Sequence, residues 1–272
     1  MTTTSWKTSA FGALLLVGGA DAATAQETYT ARERPYFVVY NDHVEEKREL
    51  EVAVLSTLGD PKNDAARYFA PWIELEYGIT DKWTAELYLE SASITTSDSA
   101  FTGWRIENRY RPFSGDHIVN PVFYIEYESI SEASRIQKEI VGEGAVSPEP
   151  LRVLDEEHAH ELEARLILST DRGKWNFSEN VIFEKNLSHE EGVEFGYGAA
   201  VSRRFRQFYA GVELYGGLGT TAAQFEETRH FIAPVFAWHV TPGSLFKTSI
   251  GFGVTEASER YLFRVGYSID LW

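Results

Sequence analysis

The chain has 272 residues, 43% hydrophobic and 14% aromatic, with no cysteine and a net charge of −16. That length suits one large or two small domains. The acidity argues against nucleic acid as a partner, because phosphate contacts need Lys and Arg. No apolar run approaches the ~18 residues of a membrane-spanning helix, which excludes a helical membrane protein.

Lys7 precedes an apolar stretch from Ala10 to Gly18, and Ala23-Thr24-Ala25 follows as a small-x-small site. Residues 1–25 therefore read as a secretory signal peptide, cut after Ala25, that sends the chain to the periplasm. Residues 26–46 are polar apart from the patch Tyr36–Tyr40 and read as a periplasmic lead-in with room for a short strand.

From Glu49 the chain alternates, with Leu50, Val52 and Val54 on one face and Glu49, Glu51 and Ala53 on the other. The pattern is clearest over 68–92. Ile73, Leu75, Tyr77 and Ile79 alternate with Glu74, Glu76 and Gly78. A Thr80-Asp81-Lys82 turn follows, then Trp83, Ala85, Leu87 and Leu89 against Thr84, Glu86, Tyr88 and Glu90. Period two on both sides of a short polar turn is a β-hairpin signal. Further strands are expected at 101–111 (Arg105, Glu107 and Arg109 against Trp104, Ile106 and Tyr110), 119–129 (Glu126 and Glu128 inward) and 158–169 (Glu161, Glu163 and Arg165 inward). Asn108 falls on the oily face of the first.

The strand 175–185 has Glu179 among its apolar residues, which calls for a bulge or a local inward turn. Strands 192–203 (Glu194 inward), 207–216 (Glu213 inward), 230–239, 245–254 (Lys247 inward) and 260–272 (Arg264 and Asp270 inward) complete the set. Pro234 within 230–239 suggests a bulge or break there. Trp272 closes the chain. A terminal aromatic resembles the signal read by barrel-insertion machinery, although Trp272 is out of phase with Leu271.

Twelve amphipathic strands of about ten residues match a transmembrane β-barrel, oily face to lipid and charged face to the lumen. The expected fold is a single antiparallel barrel over 47–272. Connections 80–82, 112–118, 170–174, 204–206 and 240–243 are short, as periplasmic turns should be. Those at 58–67, 93–100, 130–157, 186–191, 217–228 and 255–259 are mostly longer, as extracellular loops should be. Tyr77, Trp83, Tyr110, Trp175, Phe208, Trp238 and Phe246 lie beside the short turns and should form an interfacial girdle.

The runs ELEYGITDKW (Glu74–Trp83), GWRIENRYR (Gly103–Arg111), PVFYIEYE (Pro121–Glu128), GVELYGGLG (Gly211–Gly219) and APVFAW (Ala233–Trp238) resemble those of a family of bacterial outer-membrane barrel proteins. The resemblance covers nearly all of the chain after the signal. It implies a barrel, and it brings no activity or catalytic residue with it.

The functional candidates are the lumen charges Glu74, Glu76, Glu86, Glu90, Arg105, Glu107, Arg109, Glu126, Glu128, Glu163, Arg165 and Glu213. Buried unpaired charges are too costly in a dry interior, so the lumen is wetted or the acids are paired. Two readings stay open. One is porin-like passage of small polar or cationic solutes, with carboxylates as selectivity elements. The other is a barrel sealed by Glu–Arg pairs and tyrosines, acting structurally or in adhesion through its outer loops. A barrel hydrolase is less favoured, since no nucleophile elbow occurs. No enzyme activity and no cofactor are expected. His158 and His160, two apart beside Asp155, Glu156 and Glu157, are weak metal candidates. The expected surroundings are the outer-membrane bilayer, the insertion machinery and small polar solutes.

Overall fold

A computed structural model describes residues 34–62, 67–94, 99–115, 117–131, 158–188, 192–220 and 227–271. The signal peptide, most of the long connection and Trp272 lie outside those residues.

The chain forms twelve strands: β1 (Leu50–Asp60), β2 (Tyr68–Thr80), β3 (Trp83–Ile94), β4 (Ser99–Tyr110), β5 (Asn120–Ser131), β6 (His158–Arg172), β7 (Trp175–Asn186), β8 (Val193–Arg204), β9 (Phe208–Gly219), β10 (His230–Thr241), β11 (Ser244–Gly253) and β12 (Tyr261–Asp270). Each pairs antiparallel with its sequence neighbours, and β1 pairs with β12 to close the barrel. Closure leaves no strand with an unpaired edge.

Period two decides the rest. In β7 the residues alternate exposed and buried from Trp175 onward, with Phe177, Glu179, Val181 and Phe183 outward and Ser178, Asn180, Ile182 and Glu184 inward. Glu179 therefore faces outward with no bulge, opposite Leu168 and Ala199. The expected phase reset is absent because the ladder to both neighbours runs in register through it. Pro234 behaves in a related way. It pairs with Val212 of β9, while the β11 ladder skips Ala233 and Pro234 and resumes at Val235↔Ser249 in unchanged register. Proline lacks an N–H, and only one ladder is interrupted.

The outward face is apolar. Ile106, Phe123, Ile125, Leu214, Ile250 and Phe263 are all exposed. At the tight-turn end, Trp83 faces Tyr110, Tyr110 faces Phe123, and Phe208, Trp238 and Phe246 stand side by side. Asn108, the polar residue on this face, accepts a 3.0 Å hydrogen bond from Trp83 Nε1, which explains its tolerance beside the girdle. The turns 81–82, 173–174, 205–207 and 242–243 are tight, with Gly173 at φ 65 in the left-handed region. The connection 111–119, expected to be short, is not.

Candidate functional site

The twelve lumen candidates are all buried, on the face opposite the apolar one. Register adds an order that chain position does not reveal. Asp270, Glu51, Glu76, Glu86, Glu107, Glu126, Glu163, Glu184 and Glu194 are direct partners in turn, from β12 through β1 and on to β8. Asp270 ends β12 at the tight-turn mouth, and Glu194 lies near the start of β8 at the other mouth. The row thus climbs the wall diagonally from one end of the lumen to the other.

Like charges directly opposite one another are destabilising. Arginines two residues along from row members offset the repulsion. Arg109 pairs with Glu76, with Glu86 at 3.3 Å and with Glu107 at 2.7 Å. Arg105 pairs with Glu90 at 2.5 Å and Glu126 at 2.8 Å, and its guanidinium lies 3.8 Å from the Tyr88 ring centre. Arg165 pairs with Glu163. Tyr88 also donates to Glu107 at 2.5 Å.

Residues 34–45, read from sequence as part of a periplasmic lead-in, lie inside the lumen. The N–H groups of Phe37, Val38 and Val39 donate to Glu213 Oε1 at 3.1, 2.8 and 2.9 Å. Asn180 brackets Tyr40, accepting from its N–H and donating to its carbonyl, both at 2.8 Å. The Tyr36 hydroxyl bonds Asn176 and Ser202. Tyr40 reaches across to Glu107 at 2.9 Å, and Arg34 to Glu74 at 3.5 Å. Arg165 donates to the Val38 carbonyl at 3.2 Å and Arg109 to that of His43 at 3.3 Å. The physical reason is burial: the patch Tyr36–Tyr40 has no strand of its own, and the wall offers apolar pockets around Ala233, Ala200 and Val122.

The segment leaves the lumen at the tight-turn mouth, where Glu45 N–H donates to Thr84 Oγ1 at 2.8 Å. The corner into β1 is pinned to β2. Arg48, at φ 72, donates to the Gly78 carbonyl, and Gly78 donates to that of Glu49. A Cβ on Gly78 would run into the Glu46 carbonyl, so glycine is required there. Beside this corner, burial and then the charges of Glu51 and Glu49 push the Glu45 carboxyl up to about 9. His43 Nε2 lies 2.8 Å from it.

Above the segment, on the long-connection side, is a cavity of about 90 Å³. Phe37, Val38 and Tyr40 line it from the segment, and Trp72, Arg105 and Arg264 line it from the wall.

Two groups among the described residues bring possible metal-ligating atoms within 4.8 Å of one another: His43, Glu45 and Glu76, and separately Glu126, Glu128 and Glu163. Neither contains His158 or His160. Both are exposed on one face of β6, where His160 bonds the Tyr127 hydroxyl at 2.9 Å and His158 approaches Ser129 at 3.4 Å.

A family model described as "Putative MetA-pathway of phenol degradation" matches residues 156–271, less than half of the chain. No curated protein sequence matches. Among solved structures, the chain is similar to an outer membrane channel from Pseudomonas putida F1, at 12% identity and a TM-score of 0.58, covering 85% of this chain and 98% of that one. It is also similar to the KdgM porin, solved alone and with disordered oligogalacturonate. The complex is 8% identical with a TM-score of 0.54, covering 80% of this chain and 98% of that one. At these identities the likeness is one of fold: this chain has the closed antiparallel barrel seen in outer-membrane barrel proteins.

Proposed function

We propose that the protein is an outer-membrane channel for small polar solutes, exported by residues 1–25, cation-preferring when open and held closed at rest by residues 34–45. The observation that carries this reading is the lumen itself: a carboxylate row running from mouth to mouth, with a segment docked in the same lumen through polar groups as well as an apolar patch. Water can replace hydrogen bonds to a carboxylate or an amide at small net cost, so such a segment can leave. Selectivity falls to Glu74, Glu76, Glu86, Glu107, Glu126 and Glu163, with Arg105, Arg109 and Arg165 tempering the field. The apolar outer face suits a bilayer. The solved structures of like fold include a channel and a porin, which favours passage over catalysis.

The sealed-barrel reading draws on the same ion pairs, and one recording separates the two. Refolded full chain and a variant lacking residues 34–45 are compared in planar bilayers under a salt gradient. The expected result is rare, brief openings for the full chain and steady, cation-preferring steps for the deletion. A deletion variant that inserts and stays silent would establish the sealed barrel instead.

A further inference from the structure

The buried cations of the lumen are not equivalent. Among the described residues, five of the buried arginines, Arg34, Arg105, Arg109, Arg165 and Arg229, have a carboxylate within ion-pair distance. Arg264 is 7% exposed and has none. Its Nε donates to Thr57 Oγ1 at 3.3 Å and its Nη1 to the Tyr215 hydroxyl at 2.9 Å, both neutral acceptors. The nearby acid on β9, Glu213, accepts the three N–H groups of the segment on one carboxylate oxygen and acts on Arg264 only from beyond ion-pair distance. A buried charge without an ion-pair partner is costly, so its retention needs a reason.

Three further features surround Arg264. It lines the cavity above the segment. Its cross-strand partner Ser249 has a buried hydroxyl with no hydrogen-bond partner. Lys247, also buried and without an ion pair among the described residues, lies 5.5 Å from the ring centre of Phe37, which lines the same cavity. Trp72 and Pro71 of β2, both half-buried, also line it. Trp72 is held by its own Nε1–H bond to Glu74 at 2.8 Å. The remaining acids and bases at the cavity are matched, Glu90 with Arg105, Glu74 with Arg34 and Arg165 with Glu163.

We infer that this cavity is a binding site for a small monocarboxylate with a flat apolar body, its carboxylate on Arg264 and its body between Trp72 and Phe37. The fit is chemical and dimensional. The guanidinium supplies a planar donor set that matches a carboxylate in a water-poor setting. The volume exceeds that of a single water several-fold and suits a small organic acid. The Trp72 and Phe37 side chains provide the apolar contact. The site is local: it sits beside a base with no ion-pair partner, and no carboxylate of the row lines it. It stands whether or not the lumen conducts.

The test uses refolded full chain in detergent micelles, with benzoate as probe and benzamide and benzylamine as neutral and cationic counterparts of the same body. Binding is read by titration calorimetry and by Trp fluorescence. Benzoate should bind saturably, with benzamide and benzylamine at least tenfold weaker. Arg264→Gln should weaken benzoate at least tenfold, and Arg264→Lys should restore part of the loss. Trp72→Leu should weaken benzoate and benzamide alike. Variants are accepted after circular dichroism and heat-modified gel mobility show the closed barrel. If Arg264→Gln does not close, Trp72→Leu and the three-probe comparison on the unaltered chain decide. Equal binding of benzoate and benzamide, unchanged benzoate binding in a folded Arg264→Gln, or no saturable benzoate binding would each overturn the assignment. Binding without conductance would remove the passage and keep the site. Conductance without binding would do the reverse.

Discussion

Arg109 is the hinge of the lumen's charge balance, and its replacement by methionine is the sharpest test of the ion-pair account. Its side chain is 1% exposed and serves Glu76, Glu86 and Glu107, which are direct neighbours in register. Removing it leaves three buried carboxylates facing one another. Breaking a buried pair from one side costs about 3–5 kcal/mol, because the partner stays buried and uncompensated. That corresponds to roughly two to four orders of magnitude in the folding equilibrium. The assay is denaturant unfolding of the refolded chain in lipid vesicles, followed by Trp fluorescence. Adding Glu86→Gln to Arg109→Met should recover about 1 kcal/mol or more, since one member of the repelling set becomes neutral. A loss for Arg109→Met within about 0.5 kcal/mol of zero, or no recovery in the double variant, would refute the argument.

Glu213→Gln keeps the acceptor but removes the charge from three hydrogen bonds, so docking of residues 34–45 should weaken by about 2 kcal/mol. Protease cleavage within 34–45 should rise accordingly, and unchanged cleavage would count against Glu213 as the anchor. Docking should also depend on pH. The docked segment holds the Glu45 proton up to about 9, while a free glutamate releases it near 4.3, so docking weakens as pH rises between the two. Glu45→Gln should flatten that profile, as read by cleavage from pH 5 to pH 9. Ile125, half-exposed in the middle of the outer face of β5, should tolerate methionine but not arginine. Ile125→Arg should cost about 2–4 kcal/mol of stability in vesicles, and a negligible cost would mean that this face does not meet lipid.

The strands were legible because a barrel wall imposes period two on every segment. All twelve expected strands occur, and the inward charges lie inward. Glu179 and Pro234 disturbed the reading for the same reason. A single chain shows composition at a position, whereas ladder continuity with two neighbours fixes its phase. The carboxylate row was hidden more deeply. Glu86, Glu126 and Glu184 are far apart in sequence, and only the register of the ladders between them makes them one line. The lumen segment was missed because Tyr36–Tyr40 carries no periodicity to say what covers it. A signal did exist. Asn180 and Glu213 sit on an inward face with no opposite charge at strand distance, and an apolar patch outside every strand requires a partner surface.

The seams of the wall run between strands alone, and residues 34–45 belong to none of them. They meet side chains of the wall with both their backbone and their own side chains, and join the barrel covalently only at the Glu46–Leu50 corner. The protein therefore holds two equilibria that can be displaced separately. Mild denaturant should empty the interior while the cylinder stays intact, and only harsher conditions should dissolve the cylinder. A titration that resolved a first transition, reported from the segment, and a second, reported from the wall, would measure how much of the molecule's stability is reserved for its contents.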